Sequence, residues 1–166
     1  MKDYQKSFVD LAIESKSLHF GEFTLKSGRV SPYFFNAANM LNGYSLYDLA
    51  KCYVEAIKDK DIDFDCIYGP AYKGIFLGSI VATLLSKEGK NYPLSFNRKE
   101  EKDHGEGGNI IGQEPRGKVL IIDDVLSASA IITVCCLSAE ATISLDNSSP
   151  SALNKLASFS RSERIL

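Results

Sequence analysis

The chain lacks any apolar run approaching the roughly 20 residues that a membrane-spanning helix requires, so no membrane partner is expected. It also lacks a strong charge of either sign. Its 19 lysines and arginines against 21 aspartates and glutamates leave a net charge of −2, without the basic footprint of a general nucleic-acid binder. The four cysteines (Cys52, Cys66, Cys135 and Cys136) form no C-x-x-C pair and no zinc-ligand spacing. They read as small buried apolar residues in a reducing compartment. The opening Met1-Lys2-Asp3-Tyr4-Gln5-Lys6 is charged and then amphipathic, which is not the pattern of a secretory signal. A cytoplasmic location is expected. No repeat, linker or low-complexity segment divides the 166 residues, which suit one domain with a real core.

What is present is an alternation of strand and helix patterns. Tyr4, Phe8, Leu11 and Ala12 recur at helical spacing and predict a helix to about Ser17. Glu22–Lys26 and Tyr33–Asn36 flank a Ser27-Gly28 turn as an irregular hairpin, with Pro32 at a sheet edge. After an Asn42-Gly43 turn, Ser45-x-x-Asp48 reads as a capping-box variant, followed by the apolar face Leu46, Leu49, Ala50, Tyr53, Val54, Ile57. Phe64–Tyr68 then reads as a strand, Gly69–Gly74 as a loop and Ile75–Ser86 as a helix. Pro93–Phe96 is a short strand before a polar, glycine-bearing stretch, Asn97–Lys118, expected as a mobile loop or a loose hairpin. Val119–Ile122 is a continuous apolar run, as a strand buried on both faces requires. The alternation points to an open α/β sheet.

Chemistry is expected at the strand ends, where open α/β sheets bind their ligands. Asp123-Asp124 follows the buried strand directly. Adjacent carboxylates there need a hydroxylated or cationic partner, such as a ribose diol or a magnesium ion held through water; the alternative is a capping pair at a surface turn. The small residues Ser127-Ala128-Ser129-Ala130 could close backbone amides around a phosphate, or could simply pack a helix tightly. In Gly69–Gly74, terminal glycines allow close backbone approach and Lys73 can meet a phosphate as a point charge. A plain strand-to-helix turn with a solvated lysine is the bland alternative. Arg98 to Gly108 mixes cations with glycine, as a loop closing over a polyanion would, or as a solvated loop would. Of Phe34-Phe35, at most one can stack on a base while its neighbour turns to the core, and both could lie in the core.

Taken together, these stretches resemble orotate phosphoribosyltransferase, a type I phosphoribosyltransferase. The resemblance is carried by Phe20–Arg29, Ser31–Asn36, Phe64–Gly74, the string Phe96-Asn97-Arg98-Lys99-Glu100 continuing through Lys102–Gly108, and Val119–Val125. It implies an α/β type I phosphoribosyltransferase fold: an open, mostly parallel sheet with flanking helices and a small N-terminal hood. It implies transfer of ribose 5-phosphate from phosphoribosyl pyrophosphate to orotate, with magnesium, giving orotidine monophosphate and pyrophosphate. By that resemblance Lys26, Phe34 and Phe35 border the orotate site, and Tyr72 and Lys73 contact the donor. Arg98, Lys99, Lys102 and His104 lie on a loop that closes over the neighbouring subunit's site, which implies a homodimer. Asp123 and Asp124 hold the ribose hydroxyls, Ser127 and Ala128 belong to the donor-phosphate loop, and magnesium arrives with the donor and water without direct protein ligands. Lys102, Arg98, His104 and Asp124 are the expected catalytic groups.

After Val125 the pattern departs. Where the family runs Asp-Asp-Val-x-Thr-Ala-Gly-Thr-Ala, this chain has Asp123-Asp124-Val125-Leu126-Ser127-Ala128-Ser129-Ala130-Ile131. A serine in place of a positive-φ glycine costs on the order of 1–2 kcal/mol. Ala130 removes a donor to the 5′-phosphate, about 1.5–3 kcal/mol for a bond to a charged group. Ile143–Asp146 resembles the family's next strand, but Asn147 stands where relatives carry an arginine. The 16 residues Leu126–Ala141 must supply phosphate loop, helix and turn, against a crossover minimum of roughly 10–12. Residues 1–146 are therefore expected as the domain, with an incomplete C-terminal part, and 147–166 as a divergent, disordered tail. Two readings follow: an active orotate phosphoribosyltransferase, or a catalytically impaired binding module that complements a full-length partner.

Overall fold

The computed structural model describes residues 1–24, 28–102, 108–124 and 142–145. Helix α1 (Asp3–Glu14) opens the chain. It ends before the predicted Ser17 because Lys16 turns to positive φ, 54°. Strands β1 (Leu18–Thr24) and β2 (Val30–Phe35) pair antiparallel as a separate two-stranded sheet. The register slips between Phe20 and Phe23, so the hairpin is irregular as expected, but its first strand begins at Leu18, four residues before the expected Glu22.

Helix α2 (Gly43–Asp59) begins two residues before Ser45. Its cap is Asn42, whose side-chain oxygen accepts from the Ser45 amide at 3.0 Å, while the Ser45 hydroxyl meets the Asn42 amide nitrogen at 2.9 Å. Asparagine caps as well as serine does, so the earlier residue takes the role predicted for Ser45. Strand β3 (Cys66–Tyr68) leads through Gly69–Tyr72 into α3 (Lys73–Lys87). Strand β4 (Leu94–Lys102) is far longer than the predicted Pro93–Phe96, and with β5 (Gly108–Gly112) it forms the hairpin alternative for the polar stretch. Strands β6 (Gly117–Ile121) and β7 (Thr142–Leu145) complete the sheet.

The sheet order is β5-β4-β3-β6-β7. The central β4, β3 and β6 are parallel, and each edge strand runs antiparallel to its neighbour. The open α/β sheet is thus parallel at its centre, as expected. Strand β7 differs from a crossover-connected continuation: an antiparallel neighbour needs no crossover, so the short span before it is no obstacle. Ile67, Leu120 and Ile122 face one core with Leu49, Tyr53 and Val54 of α2 and Leu77, Val81 and Leu85 of α3. Cys66, Tyr68, Val119 and Ile121 form a second cluster, alternating with the first along β3 and β6. Burial on both faces explains why β6 reads as an unbroken apolar run. Cys52 and Cys66 are free and buried, and burial pushes both thiols above their ordinary range.

Candidate functional site

Parallel strands end on one edge of the sheet, and that edge is where the chemistry-bearing residues meet. The last ladder bonds run from Ile122 N–H to Tyr68 O and from Gly69 N–H to Ser95 O, both 2.9 Å. Beyond them the chain leaves β3 through Gly69–Tyr72 and leaves β6 through Asp123 and Asp124.

The Gly69–Gly74 loop is curled tightly against its own helix and against β6. A Cβ on Gly74 would lie 2.5 Å from Pro70 Cδ and 2.6 Å from Ile122 O, and one on Gly69 would overlap the Gly74 carbonyl. Only glycine permits this approach at both ends of the loop. Within it the Ala71–Tyr72 peptide is cis. Tyr72 is exposed, and Lys73 opens α3.

Asp123 is buried, at 4% exposure. Its Oδ1 accepts from the Asp124 amide at 2.9 Å, and its backbone carbonyl accepts from the Tyr53 hydroxyl at 2.6 Å. The Asp124 carboxylate, whose side chain is only 10% exposed, meets Lys73 Nζ at 2.6 Å. One ion pair therefore joins the ends of two adjacent parallel strands. With Asp123 buried and Lys73 ion-paired, the arrangement differs from a surface capping turn with a solvated lysine.

Strand β4 contributes a third wall. Asn97, buried at 4%, follows Ser95 in the alternation that faces the second cluster, and its Oδ1 accepts from Ala71 N–H at 2.8 Å. Arg98 Nε is buried with no hydrogen-bond partner among the described residues, a donor suited to an anion. The backbone of Lys99 and Lys102 continues along β4.

The two phenylalanines divide as adjacent strand residues must. Phe35 packs on the main core, its ring centroid 5.9 Å from that of Phe8, while Phe34 lies 5.7 Å from Phe23. Lys26, His104, Ser127 and Ala128, like Ser129, Ala130 and Asn147, fall outside the described residues. Asn97 and Tyr53 are the site residues that sequence reasoning missed. Among the described residues no cluster of three or more histidines, cysteines or carboxylates could hold a metal by itself.

This combination of a parallel β4-β3-β6 centre, a glycine-bounded strand-end loop and paired carboxylates is the type I phosphoribosyltransferase fold. Over four-fifths of its length the chain is homologous to orotate phosphoribosyltransferases. It is 54% identical over 132 residues to the enzyme of that name from Marinobacter nauticus, covering 80% of this chain and 62% of the relative. It is 56% identical over 137 residues to the one from Kluyveromyces lactis, covering 80% and 61%. The crystal structure of orotate phosphoribosyltransferase from Francisella tularensis superposes with a TM-score of 0.61 at 42% identity, covering 72% of this chain and 56% of that one. No family model matches the chain. The chain spans about three-fifths of the length of the curated relatives it matches.

Proposed function

We propose that the chain is an orotate phosphoribosyltransferase of pyrimidine (UMP) biosynthesis, transferring ribose 5-phosphate from phosphoribosyl pyrophosphate to orotate. The observation that carries this reading is the Lys73–Asp124 pair at 2.6 Å, bridging the two strand-end loops. Asp123 and Asp124 accept the ribose hydroxyls, while Tyr72 and Lys73 meet the pyrophosphate. The C1′–oxygen bond to pyrophosphate breaks, a ring nitrogen of orotate bonds to C1′, and the proton that this nitrogen loses passes to the departing pyrophosphate or to water. Positive charge develops on the ribose and negative charge on the departing group, so cations at the leaving group and exclusion of water lower the barrier.

Arg98, whose Nε is buried, is one such cation. Lys99, Lys102 and His104 supply the others from the segment that closes over a neighbouring subunit, which makes the working unit a homodimer. Lys26, Phe34 and Phe35 border the base, and the half-buried Phe34 is the ring left for stacking because Phe35 is spent on the core. Ser127 and Ala128 bound the 5′-phosphate. Adjacent carboxylates at a strand end suit magnesium held by substrate phosphates and water; Asp123 and Asp124 would face the ion through water, without binding it directly, and the ion would neutralise charge on the pyrophosphate. The compartment is the cytoplasm.

Orotate absorbance followed with phosphoribosyl pyrophosphate and magnesium tests the reaction. Loss of absorbance that needs both supports it, and Lys102→Ala is expected to abolish turnover without unfolding the chain. Full activity in that variant would remove the loop from the mechanism. A second reading is favoured by Ser129, Ala130 and Asn147, which depart from the family's pattern: a binding subunit that lends its Arg98–Gly108 segment to a full-length partner. A folded chain that is inactive alone, yet restores turnover to a full-length relative lacking its own loop lysine, would select it.

A further inference from the structure

The β3–β4 ladder ends at the bond from Gly69 N–H to Ser95 O, 2.9 Å. In a parallel pair the next donor on the β3 side is Ala71, two residues on, and the next main-chain acceptor on β4 is the carbonyl of residue 97. The chain has by then turned away into the Gly69–Gly74 curl. The Ala71 N–H is accepted at 2.8 Å by the side-chain oxygen of Asn97, which reaches out from the strand in place of its own carbonyl. The Asn97 Nδ2 donates to the Arg98 carbonyl at 3.2 Å, which fixes which end of the amide faces the loop. Asn97 is 4% exposed, so the bond is shielded from competing water.

We infer that Asn97 is a positioning residue that extends the β3–β4 pairing by one step through its side chain. It thereby sets where Tyr72 and Lys73 stand relative to Arg98. The inference rests on the phosphoribosyl-donor reading for its functional consequence, but the hydrogen bond itself does not. A shorter or apolar side chain at 97 frees the loop amide and lets the start of α3 drift from β4. An aspartate keeps the acceptor in the same place. Asparagine is thus chosen for an acceptor toward Ala71 and a donor toward Arg98 without adding a negative charge beside an anion site.

The test pairs amide exchange with ligand titration on the full chain. Hydrogen exchange at Ala71, read by NMR, is expected to accelerate about three- to tenfold in Asn97→Leu, the factor that the net worth of a neutral hydrogen bond implies. It is expected to stay protected in Asn97→Asp. Asn97→Ser, polar but too short to reach, should behave as the leucine variant does and covers the case in which leucine fails to fold. Inorganic pyrophosphate, titrated calorimetrically with magnesium, should bind about three- to tenfold more weakly to the serine and leucine variants. Wild-type protection of Ala71 in both of them would overturn the inference. So would faster exchange accompanied by unchanged pyrophosphate affinity. If the unsubstituted chain bound no pyrophosphate, the donor reading would fall, and exchange at Ala71 would still decide whether Asn97 holds the loop.

Discussion

Removing the Lys73 ammonium leaves the Asp124 carboxylate, 10% exposed, without its cation, and the cost follows from how much water can replace it. Exposed ion pairs contribute up to about 1 kcal/mol, whereas removing one partner of a fully buried pair costs about 3–5 kcal/mol. With Lys73 35% exposed and Asp124 nearly covered, Lys73→Met is expected to destabilise by about 2 kcal/mol, between those limits. A double-mutant cycle with Asp124→Asn, read by urea denaturation, should give a coupling of about 1.5–2.5 kcal/mol. Arg116 and Glu114, 3.1 Å apart but 76% and 56% exposed, provide the internal control. Their cycle should stay below about 0.5 kcal/mol. Raising salt should erase any coupling of the exposed pair and spare most of the Lys73–Asp124 coupling. Additive effects of Lys73→Met and Asp124→Asn, within about 0.3 kcal/mol, would refute the claim that the two strand ends are held together by this contact.

Three further outcomes follow from neighbouring contacts. Gly74→Ala drives a Cβ into Pro70 and the Ile122 carbonyl and is expected to cost about 3 kcal/mol by denaturation; wild-type stability would mean that the loop is not so tightly curled. Tyr53→Phe deletes the 2.6 Å bond to the Asp123 carbonyl, and a loss of about 1–2 kcal/mol is expected in the same assay. Tyr68→Phe removes a buried hydroxyl that has no hydrogen-bond partner among the described residues, so stability at neutral pH should hold or rise. Burial raises the Tyr68 pKa. The folded state therefore keeps its proton longer than the unfolded state, and the associated stability is intact below the ordinary tyrosine value of about 10 and lost as pH climbs past it. Melting curves from neutral to strongly alkaline pH should show a shallower decline for Tyr68→Phe, and identical slopes would contradict the assignment.

The elements most legible in the sequence are those whose apolar pattern is set by burial. Val119–Ile122 announces a strand covered on both faces, and the Leu46–Ile57 face announces α2, because each side chain there is selected by the layer it touches. Asp123-Asp124 and Gly69–Gly74 are legible as a candidate site because open α/β sheets bind ligands outside their strand ends, although a capping pair and a plain strand-to-helix turn would carry the same residues. The β4–β5 hairpin is legible only as one of two alternatives, since Arg98–Lys102 carries charge and glycine follows, a composition shared by solvated loops. Asn42 and Ser45 are both good caps only three residues apart, so pattern alone cannot choose between them. Asn97 is legible as part of the Phe96–Glu100 string and Tyr53 as part of the α2 face, but their hydrogen bonds leave no local trace. Their partners, Ala71 and Asp123, are 26 and 70 positions away, and a side-chain bond across that separation imposes no periodicity on either segment.

Calorimetric titration of the purified chain with phosphoribosyl pyrophosphate and magnesium asks directly whether the strand-end site holds a ribose phosphate donor. Saturable binding that is lost in Asp124→Asn and in Lys73→Met, with both variants still folded, is the expected result. A folded chain that gives no heat beyond that of magnesium alone, or whose donor affinity is indifferent to both substitutions, would contradict it.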